Sequence, residues 1–208
     1  MLSGVIMIVI VDYGVGNVGS VLNMLRKVGA KARVSGATAD IKTADKLILP
    51  GVGHFGHGMS KLAETGLIPV LEEQVLSGSK PILGICLGMQ MMTRGSEESD
   101  VPGLGWIDAS TRRFPETPGL RVPHMGWNTV HSGATAHLFD HDATEAERFY
   151  FVHSYYVRTT NPGHTAANCL YGVDFAAAFE VGNIFGVQFH PEKSHLFGMG
   201  LLRRFIAL

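Results

Sequence analysis

The stretch Gly84-Ile85-Cys86-Leu87-Gly88 joins a short apolar run to a helical pattern, and the rest of the chain is best understood from it. Pro81–Ile85 predicts a buried strand, and Leu87–Arg94 predicts a helix that begins directly after Cys86. The two glycines permit a turn too sharp for side chains. This pattern is typical of a nucleophile elbow with cysteine in place of serine, where the sulfur lies near the positive end of a helix. A buried structural cysteine is the competing interpretation.

Upstream of this elbow, apolar runs alternate with helical patterns. Strands are predicted at Val5–Val11, Lys31–Val34 and Lys46–Leu49. Helices are predicted at Val18–Val28, with Asn17 and Gly29 as its caps, and at Leu67–Leu76. This alternation predicts an α/β fold whose parallel sheet is covered by helices on both faces.

Downstream of Ser96, the pattern changes to short strands separated by turn signals. They are predicted at Trp106–Ser110, Arg121–Met125, Thr129–His131, Phe149–Val152, Ala166–Tyr171, Ala176–Glu180 and Ile184–Phe189. A final helix is predicted at Met199–Ala207. The second half is therefore expected to be more antiparallel. No linker, charge block or repeat interrupts the chain, so residues 1–208 are expected to form a single domain.

Composition excludes several classes of protein. The 208 residues carry a formal net charge of −1, so no basic excess favours binding to nucleic acid. Two cysteines cannot form a disulfide framework, and they suit a reducing compartment. Val5–Val11 is too short to span a membrane and lacks the basic lead of a signal peptide. A cytoplasmic protein with no membrane association is expected.

Gly14–Gly19 matches the dinucleotide-binding pattern G-x-G-x-x-G between a strand and a helix. The acidic residue expected after the second strand is missing, because Val34 precedes Ser35 and Gly36. A tight strand-to-helix turn is therefore the favoured interpretation, and a non-catalytic, flavodoxin-like binding module is the alternative. The histidines and cysteines show no zinc spacing, so neither a metal nor another cofactor is expected.

His190-Pro191-Glu192 follows the last predicted strand, where catalytic groups of open α/β sheets gather. Together with Cys86, these residues supply a nucleophile, a base and a carboxylate that orients the base. The glycines of Pro50–Gly53 leave backbone N–H groups unshielded, which suits an oxyanion hole. Catalysis is therefore favoured over a structural role for Cys86.

Gly84–Gln90 and His190–Glu192 together resemble the class I (triad) glutamine amidotransferases. Further stretches resemble the glutaminase subunits of imidazole glycerol phosphate synthase, of histidine biosynthesis: Asp12–Asn17, Pro50–Gly53, Pro123–Asn128, Tyr150–Tyr156 and Gly186–Ser194. The likeness runs from Ile8 to the closing helix, and Trp106 departs from it. It implies a flavodoxin-like, three-layer fold with a mostly parallel central sheet and an antiparallel extension. Other triad amidotransferases, serving anthranilate or pyridoxal phosphate synthesis, are the nearest alternative.

This resemblance also implies roles for individual residues. Cys86 attacks the glutamine amide, His190 transfers protons and Glu192 orients His190, while backbone N–H groups near Val52, Gly53 and Leu87 hold the oxyanion. The glutamine site is implied at Gln90, Glu98, His153, Ser154 and Tyr155.

The resemblance finally implies a heterodimer with a cyclase subunit of (β/α)8-barrel fold, which uses the ammonia to form imidazole glycerol phosphate and aminoimidazole carboxamide ribotide. Asn17, Trp127 and Lys193 are the implied contact residues. The subunit alone is expected to be nearly silent, and reorientation of the Pro50–Gly53 backbone is the hypothesis for its activation.

Overall fold

The computed structural model describes residues 6–142 and 146–208. The strands are Met7–Val11 (β1), Lys31–Ser35 (β2), Lys46–Gly51 (β3), Ile82–Cys86 (β4), Gly95–Ser96 (β5), Ser99–Pro102 (β6), Ala109–Arg113 (β7), His124–Thr129 (β8), His131–Ser132 (β9), Arg148–His153 (β10), Tyr155–Thr159 (β11), Thr165–Tyr171 (β12), Val173–Val181 (β13) and Ile184–Val187 (β14). The α-helices are Val18–Lys27 (α1), Thr38–Thr43 (α2), Phe55–Glu64 (α3), Ile68–Glu72 (α4), Leu87–Met91 (α5) and His195–Ala207 (α6).

The main sheet has a parallel half and an antiparallel half. The neighbours β2-β1-β3-β4-β14 are all parallel. Beyond β14, strands β13, β11 and β7 continue the sheet in antiparallel pairing. Strands β8 and β10 form a separate antiparallel pair. The predicted parallel sheet with an antiparallel extension is therefore confirmed.

Successive residues of β1 are buried on opposite faces of the sheet, which shows that both faces are covered. Ile8 and Ile10 belong to a core that also contains residues of α1 and α6. Val9 and Val11 belong to a second core, on the side of α3 and α5. Because helices cover both faces of the sheet, the fold has three layers.

Several predicted boundaries differ from the structure, and one lies outside the residues that it describes. Val5, at the start of the first predicted strand, lies outside the described residues, as do the residues before it. The strand predicted at Trp106–Ser110 forms at Ala109–Arg113, and the one at Arg121–Met125 forms at His124–Thr129. The helix predicted at Leu67–Leu76 is α4 continued by a π-helical turn, Glu73–Ser77.

The sequence patterns do not predict helices α2 and α3 or strands β5, β6 and β11. Helix α3 contains Gly56 and Gly58, which lower helix propensity by about 1 kcal/mol each. Gly58 allows α3 to pack closely on α5, because a Cβ there would lie 2.9 Å from the Leu87 side chain. Tertiary packing therefore determines this helix. Across the described parts of the chain, every helix is too short or too polar to cross a membrane.

Candidate active site

The turn at Cys86 has the sharp geometry that its sequence predicts. Cys86 has φ 53° and ψ −109°, an uncommon conformation for a side-chain-bearing residue. A Cβ on Gly84 would lie 2.8 Å from the Met89 nitrogen, and a Cβ on Gly88 would overlap the Leu49 carbonyl oxygen. Only glycine fits at both positions. The following helix ends at Met91 rather than at the predicted Arg94.

Three parallel strands bring the predicted catalytic segments to one edge of the sheet. Gly51 of β3 pairs with Cys86 of β4, so Val52 and Leu87 leave the sheet side by side. On the other side of β4, Ile85 pairs with Val187, and His190 follows shortly after β14 ends. The carboxyl ends of these strands therefore form the site, as expected for an open parallel sheet.

His190 and Glu192 form a buried pair. Nδ1 of His190 lies 2.7 Å from Oε1 of Glu192, and both side chains are at most 2% exposed. The carboxylate therefore fixes Nδ1 as the protonated nitrogen and leaves Nε2 to face Cys86.

Nε2 of His190 has no hydrogen-bond partner within the described residues, so it does not reach hydrogen-bond geometry with the sulfur. Burial lowers the pKa of His190, but the nearby Cys86 sulfur and the Glu192 carboxylate outweigh it and raise the pKa to about 10. The site therefore favours a protonated imidazole beside the sulfur.

A cavity of about 460 Å³ opens above Cys86. The predicted site residues that line it are Val52, Gly53, Cys86, Leu87, Gln90, Glu98, His153, Ser154, Tyr155 and His190. Pro123, Val152 and Lys193 complete the lining. Glu192 contacts His190 but does not line the cavity itself. Residues predicted from five separate stretches of sequence thus converge on one cavity.

Gln188 is a site residue that the sequence reasoning missed. It is fully buried, and its Nε2 lies 3.8 Å from the Cys86 sulfur in donor geometry. Gln90 orients this amide, because its Nε2 donates to the Gln188 Oε1 at 3.0 Å and to the Tyr155 carbonyl at 3.0 Å. Its position in the chain was the available signal, since Gln188 directly follows β14 and precedes His190 by two residues.

Glu98 lies in the turn between β5 and β6, on the wall of the cavity. Its Oε2 accepts a 2.7 Å hydrogen bond from the backbone nitrogen of Phe55, the first residue of α3. This contact fixes the carboxylate at a helix N-terminus, where negative charge is favourable.

His153 belongs to a directional chain of hydrogen bonds behind the cavity. Its Nδ1 lies 2.7 Å from the Tyr155 carbonyl and must donate, so Nε2 accepts from His124 Nδ1 at 2.9 Å. Asn128 Nδ2 then donates to His124 Nε2 at 3.2 Å. Burial lowers the pKa of His124 to about 4 and that of His153 to about 3. Both imidazoles are therefore neutral.

This chain of hydrogen bonds predicts acid sensitivity. In the folded state, the pKa values of both histidines lie below the ordinary value of about 6.5. The unfolded chain therefore binds more protons than the folded chain between pH 6.5 and pH 4. Because protons bind the unfolded chain more strongly, the free energy of unfolding decreases as the pH falls through that range. His124→Phe should reduce the fall in melting temperature between pH 7 and pH 5 by about 5 °C. The exposed His131 is the matched control, and His131→Phe should keep the wild-type pH dependence. An equal fall in wild type and His124→Phe would contradict the role of these histidines.

The three predicted contact residues lie outside the catalytic pair. Lys193 Nζ lies 5.7 Å from the ring centre of Tyr150, and the rings of Tyr150 and Trp127 pack edge to face. Trp127 is 41% exposed and stacks on His195. Asn17 takes the N-cap position of α1, although its side chain makes no capping hydrogen bond. Helix α1 contacts the segment that contains Lys193.

Across residues 6–142 and 146–208, no group of three histidine, cysteine, aspartate or glutamate side chains is positioned to hold an ion.

The sequence matches the profile of the glutamine amidotransferase class-I family over residues 9–207. It is 53% identical over 202 residues to "Imidazole glycerol phosphate synthase subunit HisH 2" of Pseudomonas aeruginosa, covering 97% of this chain and 100% of that protein. A protein of the same name from Methanococcus maripaludis is 48% identical, with 96% and 98% covered.

Solved structures agree on the fold. A structure described as a glutamine amidotransferase has a TM-score of 0.75 at 20% identity, with 98% of both chains covered. A chain of PurLQS from Thermotoga maritima has a TM-score of 0.75 at 18% identity, covering 98% of this chain and 99% of that chain. Taken with the sequence matches, these likenesses establish that the chain belongs to the class-I glutamine amidotransferases and, within them, to the HisH subunits of imidazole glycerol phosphate synthase.

Proposed function

We propose that the cavity above Cys86 hydrolyses L-glutamine to glutamate and ammonia through a thioester on that residue. The observation that carries the proposal is the meeting of Cys86 with the Glu192-oriented His190 at the carboxyl ends of neighbouring parallel strands. Covalent catalysis suits an amide substrate, because it divides a difficult hydrolysis into two easier steps.

In the first step, the Cys86 thiolate attacks the side-chain carbonyl carbon of glutamine. Backbone N–H groups near Val52, Gly53 and Leu87 hold the oxyanion. The protonated His190 gives its Nε2 proton to the departing nitrogen, which leaves as ammonia. Neutral His190 then takes a proton from water, and the resulting hydroxide cleaves the thioester to release glutamate. Gln188 donates its Nε2–H to the sulfur.

The remaining wall of the cavity suits the polar ends of glutamine. Glu98 is the partner that we assign to the substrate ammonium group. Gln90 donates both amide protons, to Tyr155 and to Gln188, so only its Oε1 is left to accept from the substrate. The segment His153–Tyr155 also lines the cavity.

The ammonia is the useful product, and it must avoid bulk water, where it would become non-nucleophilic ammonium. We assign delivery to a (β/α)8-barrel cyclase subunit that forms a heterodimer with this chain. Met125 and Trp127 are alternate residues of β8 and are 62% and 41% exposed, and Leu196 is 77% exposed. These apolar side chains, with Asn17 and Lys193, are the proposed contact face. Residues 1–208 would act as one domain in a cytoplasmic enzyme.

A reconstituted assay tests this proposal. The chain is mixed with glutamine, with and without the cyclase of a HisH-containing synthase and the ligand of that cyclase, and glutamate release is measured. Release should rise strongly only in the complete mixture. In the same mixture, ammonium salt should replace both glutamine and this chain in supporting imidazole glycerol phosphate formation.

Two results would contradict the proposal. Stimulation by an anthranilate or pyridoxal phosphate synthase partner, and not by the cyclase, would identify another triad amidotransferase. Absence of glutamate release under every condition would favour the non-catalytic binding module.

A further inference from the structure

The side chain of Tyr13 lies under the Pro50–Gly53 segment, which the proposed mechanism uses as an oxyanion loop. Its hydroxyl donates a 2.7 Å hydrogen bond to the Pro50 carbonyl, and the residue is 2% exposed. The last pair between β1 and β3 is Ile10–Ile48, whereas β3 stays paired with β4 as far as Gly51. The Tyr13 hydroxyl thus donates a hydrogen bond to the end of β3, at a position that is no longer paired with β1.

The Tyr13 hydroxyl and the start of α5 pack closely against Gly51. A Cβ on Gly51 would lie 2.9 Å from the Tyr13 oxygen, 2.8 Å from the Leu87 Cβ and 2.9 Å from the Gly88 nitrogen. Burial raises the pKa of Tyr13, with the Cys86 charge adding to the effect, so the hydroxyl keeps its proton and remains a donor. The Pro50–Gly51 half of the loop is therefore held by the Tyr13 hydroxyl and by its pairing with β4.

The second half of the loop lacks such restraint. Val52 is 40% exposed, and a Cβ on Gly53 would meet no atom within 4 Å. Gly53 also has φ 92°, where glycine turns at little cost. The loop consequently combines a fixed half with a free half, and the boundary between them lies after Gly51.

We infer that Tyr13 is a positioning residue for glutamine hydrolysis, whose hydroxyl fixes the Pro50–Gly51 half of the loop so that the Val52–Gly53 half presents its N–H to the oxyanion. This inference rests on the proposed function. The hydroxyl touches no substrate, so its effect is on kcat through the loop, and ground-state binding of glutamine does not depend on it.

Tyr13→Phe removes the hydroxyl and keeps the ring. In the complete assay with cyclase and ligand, kcat should fall about tenfold, because the buried Pro50 carbonyl loses its donor and the loop is less ordered. The KM for glutamine should stay within about twofold of wild type. Alkylation of Cys86 by iodoacetamide needs no oxyanion hole, so its rate should be unchanged.

Two control variants make the experiment specific. Tyr171→Phe removes a hydroxyl that donates to a backbone carbonyl, that of Arg121, at the same 2.7 Å distance, and kcat should be unchanged. Met91→Leu removes the sulfur that lies 3.6 Å from the Tyr13 oxygen, and it should also leave kcat unchanged.

Unchanged kcat in Tyr13→Phe would overturn the inference and leave the proposed function intact. Equal losses of kcat and alkylation rate would also overturn it, because the damage would then be at the nucleophile. A loss reproduced by Met91→Leu would overturn it by assigning the effect to the sulfur contact instead. Absence of turnover in the wild-type chain would overturn the proposed function and this inference with it.

Discussion

Replacing Cys86 with alanine should reduce glutamate release in the cyclase-stimulated assay by at least about 10⁴-fold. The variant removes the atom that forms the thioester, and His190 and the oxyanion loop then have no covalent intermediate to stabilise. Alanine also fits the site, because it is smaller than cysteine and the residue is only 7% exposed within the elbow. The readout is steady-state glutamate formation at saturating glutamine.

Cys169 provides the matched control for this experiment. It is fully buried in β12, and burial, with a contribution from Asp174, raises the pKa of its thiol to about 12. Such a thiol forms almost no thiolate near neutral pH. Cys169→Ala should keep full activity while lowering stability. Comparable activity in Cys86→Ala and wild type would contradict the role of Cys86.

Replacing Gly53 with valine should lower cyclase-stimulated turnover by about 10²–10³-fold and leave complex formation intact. Gly53 has φ 92°, which a β-branched residue rarely adopts, and a Cβ there would meet no atom within 4 Å. The substitution therefore acts on the backbone conformation and not through a clash. Turnover and binding of the cyclase, measured by titration calorimetry, separate the two effects.

Gly66 offers a comparable substitution between α3 and α4. It also has positive φ, at 67°, and a Cβ there would likewise meet no atom within 4 Å. Gly66→Val should impose a similar backbone strain while leaving turnover per folded molecule unchanged. Retention of stimulation in Gly53→Val, or an equal loss in Gly66→Val, would contradict the role of the loop in forming the oxyanion hole.

The inner strands of the parallel half, β1, β3, β4 and β14, were predictable because they are buried on both faces and therefore appear as apolar runs. The bounds of β7 and β8 were not predictable, since β7 pairs with β11 in the main sheet, β8 pairs with β10 in the separate pair, and these partners are far away in sequence. Helix α3 forms despite two glycines of low helix propensity, and these glycines allow close packing, of Gly58 against Leu87 and of Gly56 against Ser99.

The catalytic segments could be recognised from sequence, but their convergence could not. The elbow glycines and His190-Pro191-Glu192 carry local signals, whereas the β4–β14 pairing that joins them does not. Gln188 and Tyr13 illustrate the limit. Each acts through one hydrogen bond, to the Cys86 sulfur and to the Pro50 carbonyl, and no spacing rule specifies such a partner.

Transfer of the glutamyl group to Cys86 during turnover is the step on which the proposed function depends. The working complex with the cyclase, its ligand and isotope-labelled glutamine is quenched in acid, and its peptides are analysed by mass spectrometry. We expect a labelled glutamyl adduct on the peptide that contains Cys86, which hydroxylamine removes, and no label on the peptide that contains Cys169. Full glutaminase turnover with no adduct on Cys86, or an adduct on another residue, would show that the reaction does not pass through this thioester.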